Sequence, residues 1–290
     1  MSDPTRVGVI GGSGLYELDG LGDLEEVRLT TPFGVPSDAY LQGRLGDVDV
    51  VFLARHGRGH RISPSEINFR ANVWGLKRLG VTHVLSVSAV GSLREDVPPG
   101  DLVVVDQFID RTRHRPDTFF GDGVVAHVMF ADPVCSGLRS VLLESSRAVD
   151  VKARDGGTYV CMEGPQFSTR AESHLYRSWG ADVIGMTNLQ EAKLAREAEL
   201  HYATLAMSTD YDCWHEGHDD VTVDAILETM AKNVENARRL IAHAIPAVAA
   251  REYDCGCASS LATALLTAPE AIPDEARLRL SLFLDKYLAG

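Results

Sequence analysis

Small hydroxyl-bearing and glycine residues follow a strand-like apolar run near the start of this sequence, and they could form part of an anion site. In Gly11-Gly12-Ser13-Gly14, the glycines let successive backbone amides face an anion, while Ser13 adds a hydroxyl donor. Taken alone, this segment is equally well explained as a plain tight turn. Its spacing differs from the G-x-G-x-x-G pattern of dinucleotide-binding sites, which argues against a nicotinamide-dependent dehydrogenase.

A basic cluster, Arg55-His56-Gly57-Arg58, follows a second apolar run. The arginine guanidinium offers a fork of donors that matches phosphate oxygens, and His56 can add a further N–H. A solvated basic loop is the alternative, but the position directly after a buried strand favours an anion site. Two more runs end in small hydroxyl residues, Ser86-Val87-Ser88-Ala89, and at a predicted helix start, Gly185-Met186-Thr187. A hydroxyl and free amides at a helix start favour negative charge, although simple capping explains each segment equally well.

Two carboxylates one residue apart, Asp210 and Asp212, follow the apolar run 201–207. They could serve as an acid beside its orienting partner, as metal ligands or as part of a turn. The metal interpretation is the weakest, because the nearby His215 and His218 form no recognised ligand spacing with them. We therefore expect no metal at this site.

The elements that must position these residues alternate between strands and helices. Apolar runs predict strands at 7–11, 48–54, 82–88, 101–106, 157–161, 181–186 and 201–207, and helical patterns predict helices at 66–79, 134–148, 170–179, 189–199, 223–248 and 273–288. This order predicts an α/β fold with a mixed, mostly parallel twisted sheet flanked by helices on both faces. In such sheets ligands bind beyond the carboxyl ends of strands, where the candidate residues lie.

Two helix starts and one boundary can be located. Ser63 with Glu66 has the pattern of a capping box, and Asn188 with Glu191 repeats it. The stretch 249–272 joins the last two helices and is rich in small and helix-breaking residues. We expect a catalytic domain over 1–248, and over 249–290 a linker and helix that pack on the same or a neighbouring subunit.

The composition is that of an ordinary folded protein. A chain of 290 residues with 45% hydrophobic residues can bury a substantial core. Asp and Glu exceed Lys and Arg by 41 to 28, and this net charge of −13 disfavours a nucleic-acid surface. No run approaches the roughly 20 apolar residues that span a bilayer, and the start lacks a basic region before an apolar one. We expect a cytoplasmic protein without a membrane or nucleic-acid partner.

The five cysteines are an odd number without zinc spacing, which favours buried or free thiols. Only Cys255-Gly256-Cys257 is unusual, since a disulfide across one intervening residue closes a small ring. Two free thiols in a loop are the alternative.

Eight segments together resemble the trimeric purine nucleoside phosphorylase family over about residues 7–245. They are Gly11–Gly14, Ala54–Arg58, Pro64–Asn68, Ala89–Glu95, Asp106–Thr112, Met162–Ser168, Gly185–Asn188 and Thr209–Trp214. The resemblance implies the family's fold and the displacement of a purine from C1′ of a sugar by phosphate, with no cofactor. It also implies a homotrimer or a dimer of trimers, whose ligands are a small-molecule nucleoside and inorganic phosphate.

The resemblance assigns roles to individual residues. Phosphate would contact Ser13, Arg55, His56, Ser88, Ala89 and Thr187, and the nucleoside would contact Phe167, Ser168, Met186, Val223 and His127, the last from a neighbouring subunit. Core packing is the alternative for Phe167 and Met186, and an ordinary surface or core position is the alternative for His127. Cys255-Gly256-Cys257 is similar to an element that forms a disulfide in archaeal relatives.

The carboxylates define the expected substrate. Asp210 is in the position similar to the family's purine-binding aspartate, so it would donate or share a proton at the purine N7 and accept a hydrogen bond from the amine of adenine. Asp212 would then orient the site or bond a base nitrogen. Ser168 stands where 6-oxopurine relatives carry glutamate, and an apolar Val223 suits a methylthio group. We expect phosphorolysis of 5′-methylthioadenosine to adenine and 5-methylthioribose 1-phosphate, a step of purine and methionine salvage. The alternatives are a 5′-methylthioinosine or other 6-oxopurine nucleoside phosphorylase, and a non-catalytic nucleoside-binding protein.

Overall fold

The computed structural model describes residues 5–12, 15, 18, 20–215 and 223–288, with side chains from residue 229 onward in the last range. The strands are β1 Arg6–Gly11, β2 Leu21–Val27, β3 Tyr40–Leu45, β4 Val48–Ala54, β5 His83–Ser92, β6 Leu102–Val104, β7 Gln107–Arg111, β8 Ala153–Asp155, β9 Thr158–Met162, β10 Val183–Gly185 and β11 His201–Asp210. The helices are α1 Phe69–Arg78, α2 Ser136–Ala148, α3 Arg170–Ser178, α4 Leu189–Glu197, α5 Val223–Ala249 and α6 Asp274–Leu288.

Strand β5 is the centre of the sheet, and its two edges are used differently. Along one edge β11 pairs with it in parallel, from His201 opposite His83 to Asp210 opposite Gly91. The other edge is shared, because β1 pairs in parallel with residues 83–86 and β10 pairs antiparallel with residues 91–92. Residues 87–90 therefore have no described strand on this edge, and the sheet has a gap there.

The remaining strands extend the sheet on both sides of this gap. Strand β4 is parallel to β1 and continues antiparallel through β3 to β2, whereas β10, β9 and β7 run parallel to one another. Strand β6 is antiparallel to β11 and parallel to β8. Six of these ten pairings are parallel, which confirms the predicted mixed, mostly parallel sheet.

Side chains of the central strands alternate between two apolar cores on opposite faces of the sheet. Val9 packs in the core that contains α2 and α5, whereas the next residue, Ile10, packs in the core that contains α1, α4 and α6. Burial on both faces explains why these strands are continuous apolar runs. The predicted flanking of the sheet by helices on both faces is confirmed. None of the helices in the described ranges combines the length and apolarity that crossing a membrane requires.

All seven predicted strands and all six predicted helices are present, and α4 begins at Leu189 as predicted, but both predicted capping boxes were wrong. Helix α1 begins at Phe69, and its N-cap is Asn68, whose side chain accepts a hydrogen bond from the Ala71 amide. The Ser63 amide donates to Glu66, but this contact belongs to a turn before the helix. Asn188 precedes α4 without capping it, because its side chain turns into the core.

Helix α6 packs against the described chain. Its residues Leu280, Phe283 and Leu284 belong to the same core as α1 and α4. The Phe283 ring lies 4.5 Å from the ring of Phe119, centroid to centroid. The division of the chain at residue 248 stays a prediction.

We predict that Phe283→Ala destabilises the whole protein by about 3–5 kcal/mol, because it leaves a cavity in a shared core. Leu278→Ala is the matched control, since Leu278 lies on the same helix but is 77% exposed. The free energy of unfolding in urea measures both. An equal, small effect of the two substitutions, or a separate first transition for α6, would show that α6 is not part of the cooperative unit.

Candidate active site

The gap in the sheet opens into a cavity of about 320 Å³. It brings together ten of the residues that the sequence predicted for the site: Arg55, His56, Ser88, Ala89, Phe167, Ser168, Met186, Thr187, Asp210 and Asp212. Arg55, His56, Asp210 and Asp212 meet because β1, β4, β5 and β11 are parallel, so the carboxyl ends of these strands lie at one edge of the sheet. Met186 and Thr187 reach the gap from the other side, because they follow β10, which is antiparallel to β5. Helix α5 contributes Met230 and Val234 to the wall.

Three predicted residues are not placed in this cavity. Ser13 lies outside the described residues, and so does the side chain of Val223. The helical period puts position 223 on the same face of α5 as Met230 and Val234. His127 is exposed, donates its backbone N–H to the Ala264 carbonyl at 2.8 Å, and does not line the cavity of its own chain.

Arg55 is held in place by contacts that use most of its donors. Its Nε and Nη2 both donate to the Glu191 carboxylate, and both side chains are almost fully buried, with 3% and 2% exposed. Nη2 also donates to Ser86 Oγ at 2.6 Å, and Nη1 donates to the Val87 carbonyl at 2.9 Å. A guanidinium has five N–H donors, so these four contacts leave one on Nη1 for a ligand.

Glu191 is a residue of this site whose role the sequence interpretation missed. It was predicted as a capping-box carboxylate, but its side chain is buried against Arg55, and its Oε2 also accepts from Ser86 Oγ at 2.6 Å and from the Tyr202 hydroxyl at 3.1 Å. Burial raises the pKa of Glu191, but the charge and hydrogen bonds of Arg55 and the two hydroxyls outweigh it, and the pKa is lowered overall. Glu191 therefore stays ionised and fixes the guanidinium.

His56 is a proton acceptor rather than a donor at this site. Its Nδ1 lies 2.8 Å from the Ile62 carbonyl and must donate to it, which leaves the lone pair on Nε2. Burial and then the positive charge of Arg55 lower the pKa of His56 to about 4. The ring is consequently neutral at pH 7. Its one N–H, which the sequence predicted as a donor to the anion, is bonded to the Ile62 carbonyl instead.

Ser88 and Ala89 lie in the gap itself. The Val87 carbonyl faces Arg55 on the open edge, and since backbone groups alternate between edges along a strand, the N–H of Ala89 points to that same edge. Ser88 Oγ is buried and has no hydrogen-bond partner among the residues that the structure describes. Leaving such a hydroxyl unsatisfied costs about 1–3 kcal/mol, so this pair of donors is typical of a ligand site.

Asp210 is a partly buried carboxyl whose surroundings raise its pKa. Its Oδ1 accepts from the Asp212 amide and its Oδ2 from the Thr209 hydroxyl, both at 2.7 Å. Burial, with a smaller contribution from the charge of Asp212, raises the pKa of Asp210 despite these hydrogen bonds. A carboxyl of this kind can act as a general acid.

Asp212 and Ser168 form a second polar pair on the cavity wall. The Ser168 hydroxyl lies 2.8 and 2.6 Å from the two carboxylate oxygens of Asp212 and donates to them. Asp212 has a φ of 52°, in the left-handed region, which costs about 1–3 kcal/mol for a residue other than glycine. Strain of this kind is typical of functional sites, where the surrounding structure holds a side chain in a required position.

The rest of the cavity wall is soft and apolar. Met162, Met186, Met207 and Met230 line it, which is four of the six methionines in the chain. Thioethers are polarizable and adapt well to sulfur and aromatic groups. Phe167 lines the cavity with 54% of its surface exposed, so core packing does not account for it, whereas stacking on a planar ligand would.

Comparisons with known proteins agree with this geometry. Residues 6–246 match the sequence profile of the Phosphorylase superfamily. The chain is 58% identical to the S-methyl-5′-thioadenosine phosphorylase of Koribacter versatilis, over 97% of this chain and 96% of the relative.

Two solved structures are similar to the whole chain or most of it. A methylthioadenosine phosphorylase from an Antarctic soil metagenomic library has a TM-score of 0.93 and 47% identity, covering 98% of this chain and 100% of the other. A mutant adenosine/methylthioadenosine phosphorylase from Schistosoma mansoni, in complex with methylthioadenosine, has a TM-score of 0.80 and 40% identity, covering 86% and 93%.

We predict that Glu191→Ala lowers the free energy of unfolding by about 3–5 kcal/mol, because it leaves the buried charge of Arg55 unpaired. The control is Glu144→Ala, which removes the partner of Arg251 at the surface, where a pair contributes about 0–1 kcal/mol. Both are measured by chemical denaturation without phosphate. Similar losses for the two variants would mean that the Arg55 guanidinium does not depend on Glu191.

Proposed function

Because the chain belongs to the phosphorylase superfamily, we propose that it cleaves 5′-methylthioadenosine with inorganic phosphate, giving adenine and 5-methylthioribose 1-phosphate. It is a pentosyltransferase acting on a purine thionucleoside. The observation that carries the proposal is that one cavity is lined by the anion donors of the sheet gap, by the partly buried carboxyl of Asp210 and by four thioethers. The relatives that match nearly the whole chain are named for the same activity.

Phosphate is the nucleophile, and directed donors hold it at the gap. We assign to it the remaining Nη1 donor of Arg55, the Ala89 amide and the Ser88 hydroxyl. Thr187 and Ser13 are predicted to complete this set. Monohydrogen phosphate also carries one P–OH group, and the lone pair on His56 Nε2 is a suitable acceptor for that proton.

Asp210 acts on the leaving group. A phosphate oxygen bonds to C1′ as the C1′–N9 bond breaks, and the electron pair of that bond passes into the purine. The proton of Asp210 moves to N7, so adenine leaves as a neutral molecule. The P–OH group gives up its proton as the sugar phosphate becomes a dianion, and Asp210 takes up one proton from solvent, so the protons balance. Phosphate is the only co-substrate that this balance requires, and we therefore expect no cofactor.

The same carboxyl accounts for the preference for adenine. A neutral Asp210 donates to N7 through one oxygen and accepts from the 6-amino group through the other. A 6-oxopurine would present an acceptor to that second oxygen, which leaves two lone pairs facing each other. Asp212 and Ser168, bonded to each other, hold the neighbouring wall, and the two methionine thioethers of Met186 and Met230 suit a sugar that carries a methylthio group.

The oligomer and the cellular location are further parts of this proposal. The family resemblance predicts a homotrimer or a dimer of trimers, and the hydropathy pattern of the sequence predicts a cytoplasmic location. His127 is exposed and lies outside the cavity of its own chain, and a place at the cavity of a neighbouring subunit is compatible with both observations.

We predict that adenine release from 5′-methylthioadenosine by the purified protein depends on phosphate. The measurement follows adenine and the sugar 1-phosphate by chromatography, with phosphate present and with phosphate removed. Adenine release at the same rate without phosphate would identify a hydrolase instead. Equal or faster turnover of inosine would contradict the preference that we assign to Asp210.

We predict that Asp210→Asn lowers kcat by about 100- to 10,000-fold, the range of a lost general acid, while the affinity for the nucleoside changes less. In the unchanged enzyme kcat/KM should fall as pH rises through the raised pKa of Asp210, because the acid form is consumed, and this limb of the profile should be absent in the variant. Asp285→Asn, an exposed position on α6, is the control. Full kcat in Asp210→Asn would exclude this acid and would fit a nucleoside-binding role for the residue.

A further inference from the structure

Three cysteines and one histidine from distant parts of the chain meet at the opposite end of the sheet from the cavity. Cys135 directly precedes α2, His201 begins β11, and Cys255 and Cys257 lie in the segment after α5. Their four ligand atoms all lie within 4.8 Å of one another. The ten residues of β11 separate His201 from Asp210 by about 30 Å, so this cluster is independent of the active site.

We propose that this cluster is a structural zinc site, in which three thiolates and His201 Nδ1 bind one Zn²⁺. The two sulfurs of Cys135 and Cys255 are 3.8 Å apart, and His201 Nδ1 lies 3.4 Å from the first and 3.3 Å from the second. In a tetrahedral zinc site the bonds are about 2.3 Å to sulfur and 2.0–2.1 Å to nitrogen. Two sulfur ligands are then ~3.8 Å apart, and a sulfur and a nitrogen ligand are ~3.5 Å apart. The three separations among Cys135, Cys255 and His201 are close to these values, and Cys257 Sγ lies within 4.8 Å of the other three atoms.

The chemistry of the donors selects the metal. Thiolates and imidazole are soft or borderline ligands, which suit zinc and disfavour magnesium or calcium. Four protein ligands leave no open position, and a closed site of this kind stabilises a fold rather than binding substrate. All five cysteines of the chain are free, so no disulfide competes for these sulfurs in the structure.

The surroundings keep water out and orient the histidine. Cys135, Cys257 and His201 are buried, with 2%, 6% and 6% exposed. The ring of His201 stacks on that of His83, with ring centroids 4.3 Å apart. The ring of Tyr253 packs against both, 4.4 Å from His83 and 4.8 Å from His201. Cys135 also occupies the N-cap of α2, where the positive end of the helix favours a thiolate.

The site would join the C-terminal segment to the sheet. Cys255 and Cys257 follow α5, whereas Cys135 and His201 belong to the start of α2 and of the central strand β11. A bound ion therefore closes a connection between segments that are far apart in the chain. Its binding free energy contributes to folding, because the unfolded chain does not hold the four ligands together.

The experiment measures metal on the full-length protein, expressed with zinc supplied and purified under reducing conditions without chelator. Mass spectrometry of the dialysed protein should find about one zinc per chain in the wild type. His201→Gln and Cys257→Ser should bind tenfold less or none. Cys213→Ser is the control, because Cys213 lies beside Ser168, away from the cluster, and it should keep the full amount.

Two measurements on the wild type keep the proposal testable if a variant fails to fold. Replacement of zinc by cobalt should give the intense near-ultraviolet and visible absorption of a tetrahedral thiolate site. Removal of zinc with a chelator should lower Tm, and zinc should restore it. Reduced protein that binds no zinc and shows no cobalt spectrum would overturn the proposal, and so would a disulfide among Cys135, Cys255 and Cys257 in the active protein.

Discussion

The buried ion pair between Arg55 and Glu191 is the constraint on which the arrangement of the site depends. It joins the end of β4 to α4, and the same guanidinium reaches β5 through the Val87 carbonyl. A buried charge cannot be left unpaired without a large cost, so these three elements must keep their relative positions. Because Glu191 neutralises Arg55, the phosphate that we propose for this site would be held through the directions of its donors and not through an excess of positive charge.

The second requirement is an interrupted sheet. Strand β5 shares one edge between β1 and β10, and the interval leaves backbone groups free for a ligand. On its other edge a register shift between Ser208 and Asp210 occurs where the Asp210 carboxyl reaches the cavity. Gly91 makes room for this carboxyl, since a Cβ there would lie 2.9 Å from Asp210 Oδ1. The proposed ligand site thus lies where the sheet is irregular on both edges of β5.

Much of the cavity could be predicted from sequence, because its residues directly follow apolar runs and parallel strands end at one edge. The role of Glu191 could not be predicted, because a glutamate that caps a helix and one that pairs with Arg55 look the same in the local sequence. Only the fold shows which of the two contacts is made. Strand β2 was missed because its sequence, LGDLEEV, is mostly exposed and lacks an apolar pattern. Cys135 and His201 are 66 residues apart, so no local spacing of residues predicts their cluster with Cys255 and Cys257.

The neutral state of His56 has a consequence for catalysis. With Arg55 balanced by Glu191, His56 uncharged and Asp210 held toward its neutral form, none of these groups offers a bound phosphate dianion a net positive charge. The missing counter-charge arises only when the sugar carbon becomes cationic as its bond to the base lengthens. With phosphate bound as we propose, the cavity is electrostatically complementary to the transition state rather than to the resting substrates, and such a difference in binding accelerates a reaction.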